Sequence, residues 1–114
     1  MKQFNYIKGK ENEIIAKNFL KNKGYKIIEC NYKNDIGEID IIAKQKDVLV
    51  FVEVKYRTTN MYGLPREAVG KYKQQKIRQI ATLYLQANKL FDTKVRFDVI
   101  EILGEEITHI ENAF

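Results

Sequence analysis

Residues 36–56, IGEIDIIAKQKDVLVFVEVKY, decide the fold. Two β-branched runs, 36–44 and 48–56, flank a short polar turn, the pattern of a β-hairpin. With Lys46-Asp47 as a two-residue turn, Gln45 faces Val48 and every opposed pair sums to 93. Ala43 then faces Val50, Ile41 faces Val52, Asp40 faces Glu53 and Glu38 faces Lys55. A three-residue turn would break this parity, so the register rests on turn length. Val48, Val50, Val52 and Val54 line one face of the second strand; Leu49, Phe51, Glu53 and Lys55 line the other. A strand apolar on both faces is covered on both faces, which calls for layers above and below the sheet.

The flanking sequence supplies those layers. Over about 10–23, Ile15, Ala16, Phe19 and Leu20 recur at helical spacing, and Gly24 follows as a stop. Residues 25–32 read as a first strand. The segment 57–66, RTTNMYGLPR, lacks periodicity and holds Gly63 and Pro65, so it reads as a loop. From 67 to about 88 runs an amphipathic helix with Val69, Ile77, Ile80, Ala81 and Tyr84 on one stripe. A fourth strand, 95–103, precedes the short tail ITHIENAF. The order α-β-β-β-α-β predicts one α/β domain over 1–114, a mixed sheet flanked by helices. Its last strand returns parallel through a helical crossover.

Composition narrows the functional classes. With 45% apolar and 31% charged residues, the chain has the profile of a folded domain rather than a disordered one. No apolar run approaches the length of a membrane span, and MKQFNYIKGKENE does not read as a signal peptide. A single cysteine and a single histidine exclude an internal disulfide and a Cys/His zinc site. Cys30 reads as a buried strand residue, and the expected compartment is the cytoplasm. The formal charge of +5 suits attraction to phosphate backbones, although many proteins this basic bind no nucleic acid.

The charged end of the hairpin carries the chemistry. Asp40 and Glu53 side by side would repel each other and lose solvation in a covered sheet. Lys55 relieves part of that repulsion, and a divalent cation relieves more. Two carboxylates and a neighbouring carbonyl, that of Val54, are hard oxygen donors suited to Mg²⁺ or Mn²⁺. The structural alternative is a salt-bridged network of Glu38, Asp40, Glu53 and Lys55 at a sheet end.

GEIDIIAK followed by VLVFVEVKYR resembles the YraN family, whose members look like small PD-(D/E)XK nucleases, similar in core to archaeal Holliday junction resolvases. The resemblance covers nearly the whole chain, through GKENEIIAKNFL, KGYKIIECNYK, YGLPREAVGKYKQQKI, VRFDVIEI and HIENAF. It implies a restriction-endonuclease-like core and a metal-dependent endonuclease acting on DNA, branched or otherwise structured. Asp40 matches the first Asp of the nuclease motif, and Glu53 and Lys55 match its (D/E)xK. Glu13 matches an acidic residue that many resolvase-like relatives add to the metal site. It shares the stripe of Ala16 and Leu20, although a Glu at a helix start also suits the macrodipole. Where the family usually has Gly, this chain has Asn12.

On this reading Asp40, Glu53, Glu13 and the Val54 carbonyl hold Mg²⁺ or Mn²⁺, which polarises a phosphate oxygen and acidifies a water. Lys55 orients that water or offsets charge developing at phosphorus. Lys73, where the family commonly carries a lysine, would touch phosphate or else be a snorkelling surface lysine. Tyr56, Arg57 and Arg66 flank the loop and are candidates to track a backbone. Glu38 either pairs with Lys55 or caps the hairpin. Arg96 and Asp98 share a strand face and read as a structural pair, and His109 receives no catalytic role. The competing function is a nucleic-acid-binding module that keeps the fold without physiological cleavage. DNA against RNA and linear against branched substrate stay open. So does a homodimer, since resolvase-like relatives often pair.

Overall fold

In a computed structural model, the described backbone comprises residues 2–57 and 69–114, with side chains described over 9–57 and 69–114. The elements run α1 (Lys2–Asn22), β1 (Lys26–Lys33), β2 (Glu38–Gln45), β3 (Val48–Arg57), α2 (Lys71–Ala87), β4 (Lys94–Leu103) and β5 (Glu106–Ile110). They form one five-stranded sheet in the order β1-β2-β3-β4-β5, antiparallel except for the parallel β3–β4 pair joined across α2. This mixed α/β arrangement, with a helix on each face, is compatible with a nuclease-like core.

The hairpin register follows the two-residue turn. Gln45 pairs with Val48, Ala43 with Val50 and Ile41 with Val52, and Lys46 takes φ 54° in the turn. Each face of β3 then meets its own helix. Val50 and Val52 pack with Ile41, Ala43, Ile100 and Ile102 beneath Ala16 and Leu20 of α1. Leu49 and Phe51 pack with Ile42 and Val99 beneath Ile77, Ile80, Ala81 and Tyr84 of α2. Fully burying each such side chain contributes roughly 1.5–3 kcal/mol, so these two interfaces supply most of the driving force.

Several expectations are corrected. Helix α1 begins at Lys2 rather than near residue 10, and Ile15 is 41% exposed instead of inward-facing. The inward stripe is Ala16, Leu20 and the partly buried Phe19. Helix α2 begins at Lys71, with extended Gly70 as its N-cap; Arg66 and Glu67 lie outside the described residues. Cys30 is exposed on β1, an edge strand. The tail contributes a strand, β5, that sequence periodicity did not mark. Its alternation is only five residues long. No described helix is long and apolar enough to cross a membrane.

A buried polar network pins β5 to the sheet on the α1 side. Asp98, fully buried, accepts two bonds from Arg96 at 2.9 Å, one from the Asn112 N–H at 3.0 Å, and lies 2.7 Å from His109 Nε2. Lys23 Nζ sits 2.7 Å from His109 Nδ1. A lysine ammonium can only donate there, so Nδ1 accepts and Nε2–H points at Asp98. Burial pushes the Asp98 carboxyl up, but bonds from His109, Arg96 and Asn112 outweigh it and hold the group below its usual range. The expected Arg96–Asp98 pair is therefore present, and His109 is its structural partner.

Candidate functional site

The strand ladder stops where the acidic residues begin. The last β2–β3 pair is Ile41–Val52; the expected continuation to Asp40–Glu53 and Glu38–Lys55 does not form. Instead Asp40 Oδ2 accepts the Val54 N–H at 2.8 Å. A backbone N–H lies in the plane of its sheet, so this carboxylate fills the gap between the diverging strands. The pleat of β2 also slips here: Ile39 and Ile42 both join the α2-side core, whereas Ile41 joins the α1-side core. On β1, Asn31 takes φ 56° between the pairs Cys30–Ile41 and Tyr32–Ile39. Asp40 thus lies close both to Glu13 of α1 and to Glu53 of β3.

The approach to β2 is built to bring it close to α2. Asn34 Oδ1 accepts the N–H groups of Ile36 and Gly37 at 2.9 and 3.3 Å, closing the turn from β1. A Cβ on Gly37 would come within 3.2 Å of Ile80 Cδ1, so glycine permits this approach.

Carboxylates from three elements converge on that gap. Oxygens of Glu13 on α1 and of Glu38 and Asp40 on β2 lie within 4.8 Å of one another. Asn31 Nδ2 donates to Glu13 Oε2 at 3.3 Å, fixing its inward direction. Burial and then the Asp40 charge raise the Glu13 pKa, with Lys10 opposing. Glu53, only 7% exposed, bonds to Asp40 from β3. Burial first, then that hydrogen bond and the Asp40 charge, push the Glu53 pKa up to about 8. The sequence alone makes Glu38 a hairpin cap or a partner for Lys55. It belongs instead with Glu13 and Asp40, because the strands part before Lys55 can face it.

Two lysines stand against these acids. Lys73 Nζ lies 3.4 Å from Glu53 Oε1, and Lys73 hydrogen-bonds to Lys55. Burial lowers the Lys55 pKa, and the neighbouring Lys73 lowers it further against the pull of Glu53 and Asp40. For Lys73, burial acts downward but is outweighed by its bond to Lys55 and by Glu53 and Asp40, so its pKa is raised. The two lysines are thus shifted in opposite directions beside the same acids, Lys55 down and Lys73 up.

Two clefts flank this centre and share Glu38. One, of about 360 Å³, lies on the α2 side and includes Asp40, Glu53, Lys73 and Lys76; the other, of about 350 Å³, includes Lys10, Glu13 and Asn31. The donor set is all carboxylate oxygen, which fits a hard divalent cation rather than a soft one. Val54 reaches Asp40 through its N–H; this is the contact the structure gives it with the site.

Of the other candidates, Arg57 forms a 2.7 Å ion pair with buried Glu101. Tyr56 alternates with Lys55 and so leaves the sheet on the side of Val54 and α1. Arg66 lies outside the described residues. Sequence reading missed Asn31, whose role depends on its left-handed backbone, and Lys76. The signal for Lys76 was its three-residue spacing from Lys73 on one helix face.

Comparison with known proteins bears out the family resemblance. Residues 12–102 match the model of the "Uncharacterised protein family UPF0102". A UPF0102 protein of Clostridioides difficile is 50% identical over 109 residues, covering 94% of this chain and 96% of its own. One from Alkaliphilus oremlandii is 49% identical over 108 residues, covering 90% and 92%. One from Clostridium beijerinckii is 44% identical over an alignment of 120 positions, covering 100% and 98%. The chain belongs to the UPF0102 family, the family of the YraN proteins.

Proposed function

We propose that this protein is a Mg²⁺- or Mn²⁺-dependent endonuclease that hydrolyses phosphodiester bonds in DNA, with branched or otherwise structured DNA as the favoured substrate class. The observation that carries this reading is the convergence of Glu13, Glu38, Asp40 and Glu53 beside Lys55 and Lys73. Oxygens of Glu13, Glu38 and Asp40 lie within 4.8 Å of one another, a crowding of like charges that a divalent cation would relieve.

Asp40, Glu13 and Glu38 would hold the ion, with Glu53 joining once it is deprotonated. When bound, Mg²⁺ or Mn²⁺ supplies positive charge to the phosphate and acidifies the attacking water. Lys55, with its lowered pKa, orients that water and offers positive charge to the phosphate oxygens as the P–O bond breaks. Lys73 and Lys76 line the cleft and hold flanking phosphates.

Asp40→Asn should abolish Mn²⁺ binding in calorimetry while leaving cooperative unfolding intact, because it keeps the shape and removes one anionic ligand. Unchanged binding would remove Asp40 from the centre. A cleavage screen over duplex, single-stranded, flapped and four-way DNA tests the activity itself. Wild-type protein that binds these substrates and cuts none would establish the competing binding-module reading.

The Glu53 carboxyl sets the pH dependence. Glu53 adds to the ligands only in its ionised form, so Mn²⁺ affinity should rise with pH, by at most about tenfold per pH unit, up to pH about 8 and then level off. The metal-free fold should respond in the opposite direction. Glu53 holds its proton more tightly folded than unfolded, so its contribution is present at low pH and is lost as pH rises through about 8. Glu53→Gln should flatten both profiles, and a wild-type-like slope in that variant would reassign the titration.

A further inference from the structure

We propose that Tyr72 is a stacking platform for an unpaired DNA base, so that the strand entering the cleft is single-stranded beside the phosphate to be cut. This inference rests on the nuclease reading and adds the substrate feature that the site selects.

Tyr72 stands in the first turn of α2 with 74% of its surface exposed. Tyr25 and Tyr84, by contrast, are 3% and 6% exposed and serve the core. The ring is tied to the cleft by Lys76, whose Nζ sits 5.5 Å from the ring centroid and which itself lines the cleft with Asp40, Glu53 and Lys73. One face of the tyrosine is thus backed by a cation at the rim of the acidic centre. Phe91, equally exposed at 73%, lies beyond the far end of α2 and has no such placement. The 17 residues of α2 separate the two rings by roughly 25 Å.

The surrounding chemistry suits a nucleotide. Among the described residues the first turn of α2 carries no acid, and its Gly70 cap makes no side-chain hydrogen bond, so no carboxylate of that turn repels a phosphate. Lys71, Lys73 and Lys76 supply the positive charge. A phosphate held by these lysines places the adjoining base next to the tyrosine. Within a duplex that base is paired and stacked on both sides and has no free π-face. An unpaired base has one, and aromatic stacking accepts any of the four bases.

The test is a fluorescence titration in metal-free buffer, where binding is read without cleavage. The probes are a single-stranded DNA oligonucleotide carrying 2-aminopurine and the same oligonucleotide annealed to its complement. Tyr72→Ala should weaken single-strand binding about ten- to hundredfold and leave duplex affinity within about twofold of wild type. Tyr72→Phe, which keeps the ring, should bind like wild type and quench the 2-aminopurine as wild type does. Equal losses on both probes, or no loss with Tyr72→Ala, overturn the platform while leaving the nuclease reading standing. Wild-type protein that binds neither probe also overturns the platform, while the cleavage screen over flapped and four-way DNA decides the nuclease reading separately.

Discussion

Lys55→Ala is expected to lower single-turnover cleavage by about a hundredfold or more while Mn²⁺ affinity holds or rises. Lys55 lies beside the acids without being an oxygen donor, and Lys73 already supplies a counter-charge to Glu53 at 3.4 Å. Removing Lys55 therefore leaves the ligand set intact and makes its carboxylates more dependent on a cation. What is lost is a group aimed at the water and at charge developing on the phosphate, a contact worth about two orders of magnitude or more in rate. Lys55→Arg sharpens the test. A guanidinium keeps the positive charge but cannot give up its proton, so partial recovery of rate would assign Lys55 to charge stabilisation. No recovery, with folding intact, would assign it to handling the water. Cleavage of Lys55→Ala at the wild-type rate would reduce Lys55 to a structural counter-ion.

The second large effect concerns stability. Asp98→Ala should destabilise the fold by about 3–5 kcal/mol, because it leaves the partly buried Arg96 and the buried His109 facing an empty polar pocket. A domain of this size has only about 5–15 kcal/mol in total, so the variant should melt far below wild type or fail to fold at modest denaturant. The tail would loosen first, since the Asn112 N–H also ends on Asp98. Equilibrium urea unfolding reads the change, and a loss under about 1 kcal/mol would show that the network is dispensable. The wild-type pH profile offers an independent reading. The folded carboxyl is held below its usual pKa, so its contribution is present above the unfolded value and is lost as pH falls through the folded one.

The sequence by itself determined the hairpin, both covered faces of β3 and the identity of Asp40, Glu53 and Lys55 as a charged cluster. These follow from local rules. A two-residue turn sets the register, period-two alternation sets the faces, and helical periodicity marks Ala16, Leu20, Ile77 and Ile80 as inward. The family motif was legible for the same reason, since its residues sit close together along one hairpin. The tertiary structure decided where regularity fails. Extrapolating the ladder placed Asp40 opposite Glu53, but a carboxylate bonding the Val54 N–H takes the place of the next strand pair. Periodicity cannot report that exchange, because it presumes that the pairing continues.

The third carboxylate, Glu38, joins Glu13 and Asp40 only because the strands part, and Asn31 steadies Glu13 only from a left-handed backbone. Arg57 pairs with Glu101 of β4, 44 residues along the chain. His109 looked idle in a tail until β5 carried it to Asp98. Each of these depends on contacts between residues distant in sequence. In such contacts burial and charge act through space, and a linear pattern carries no record of them.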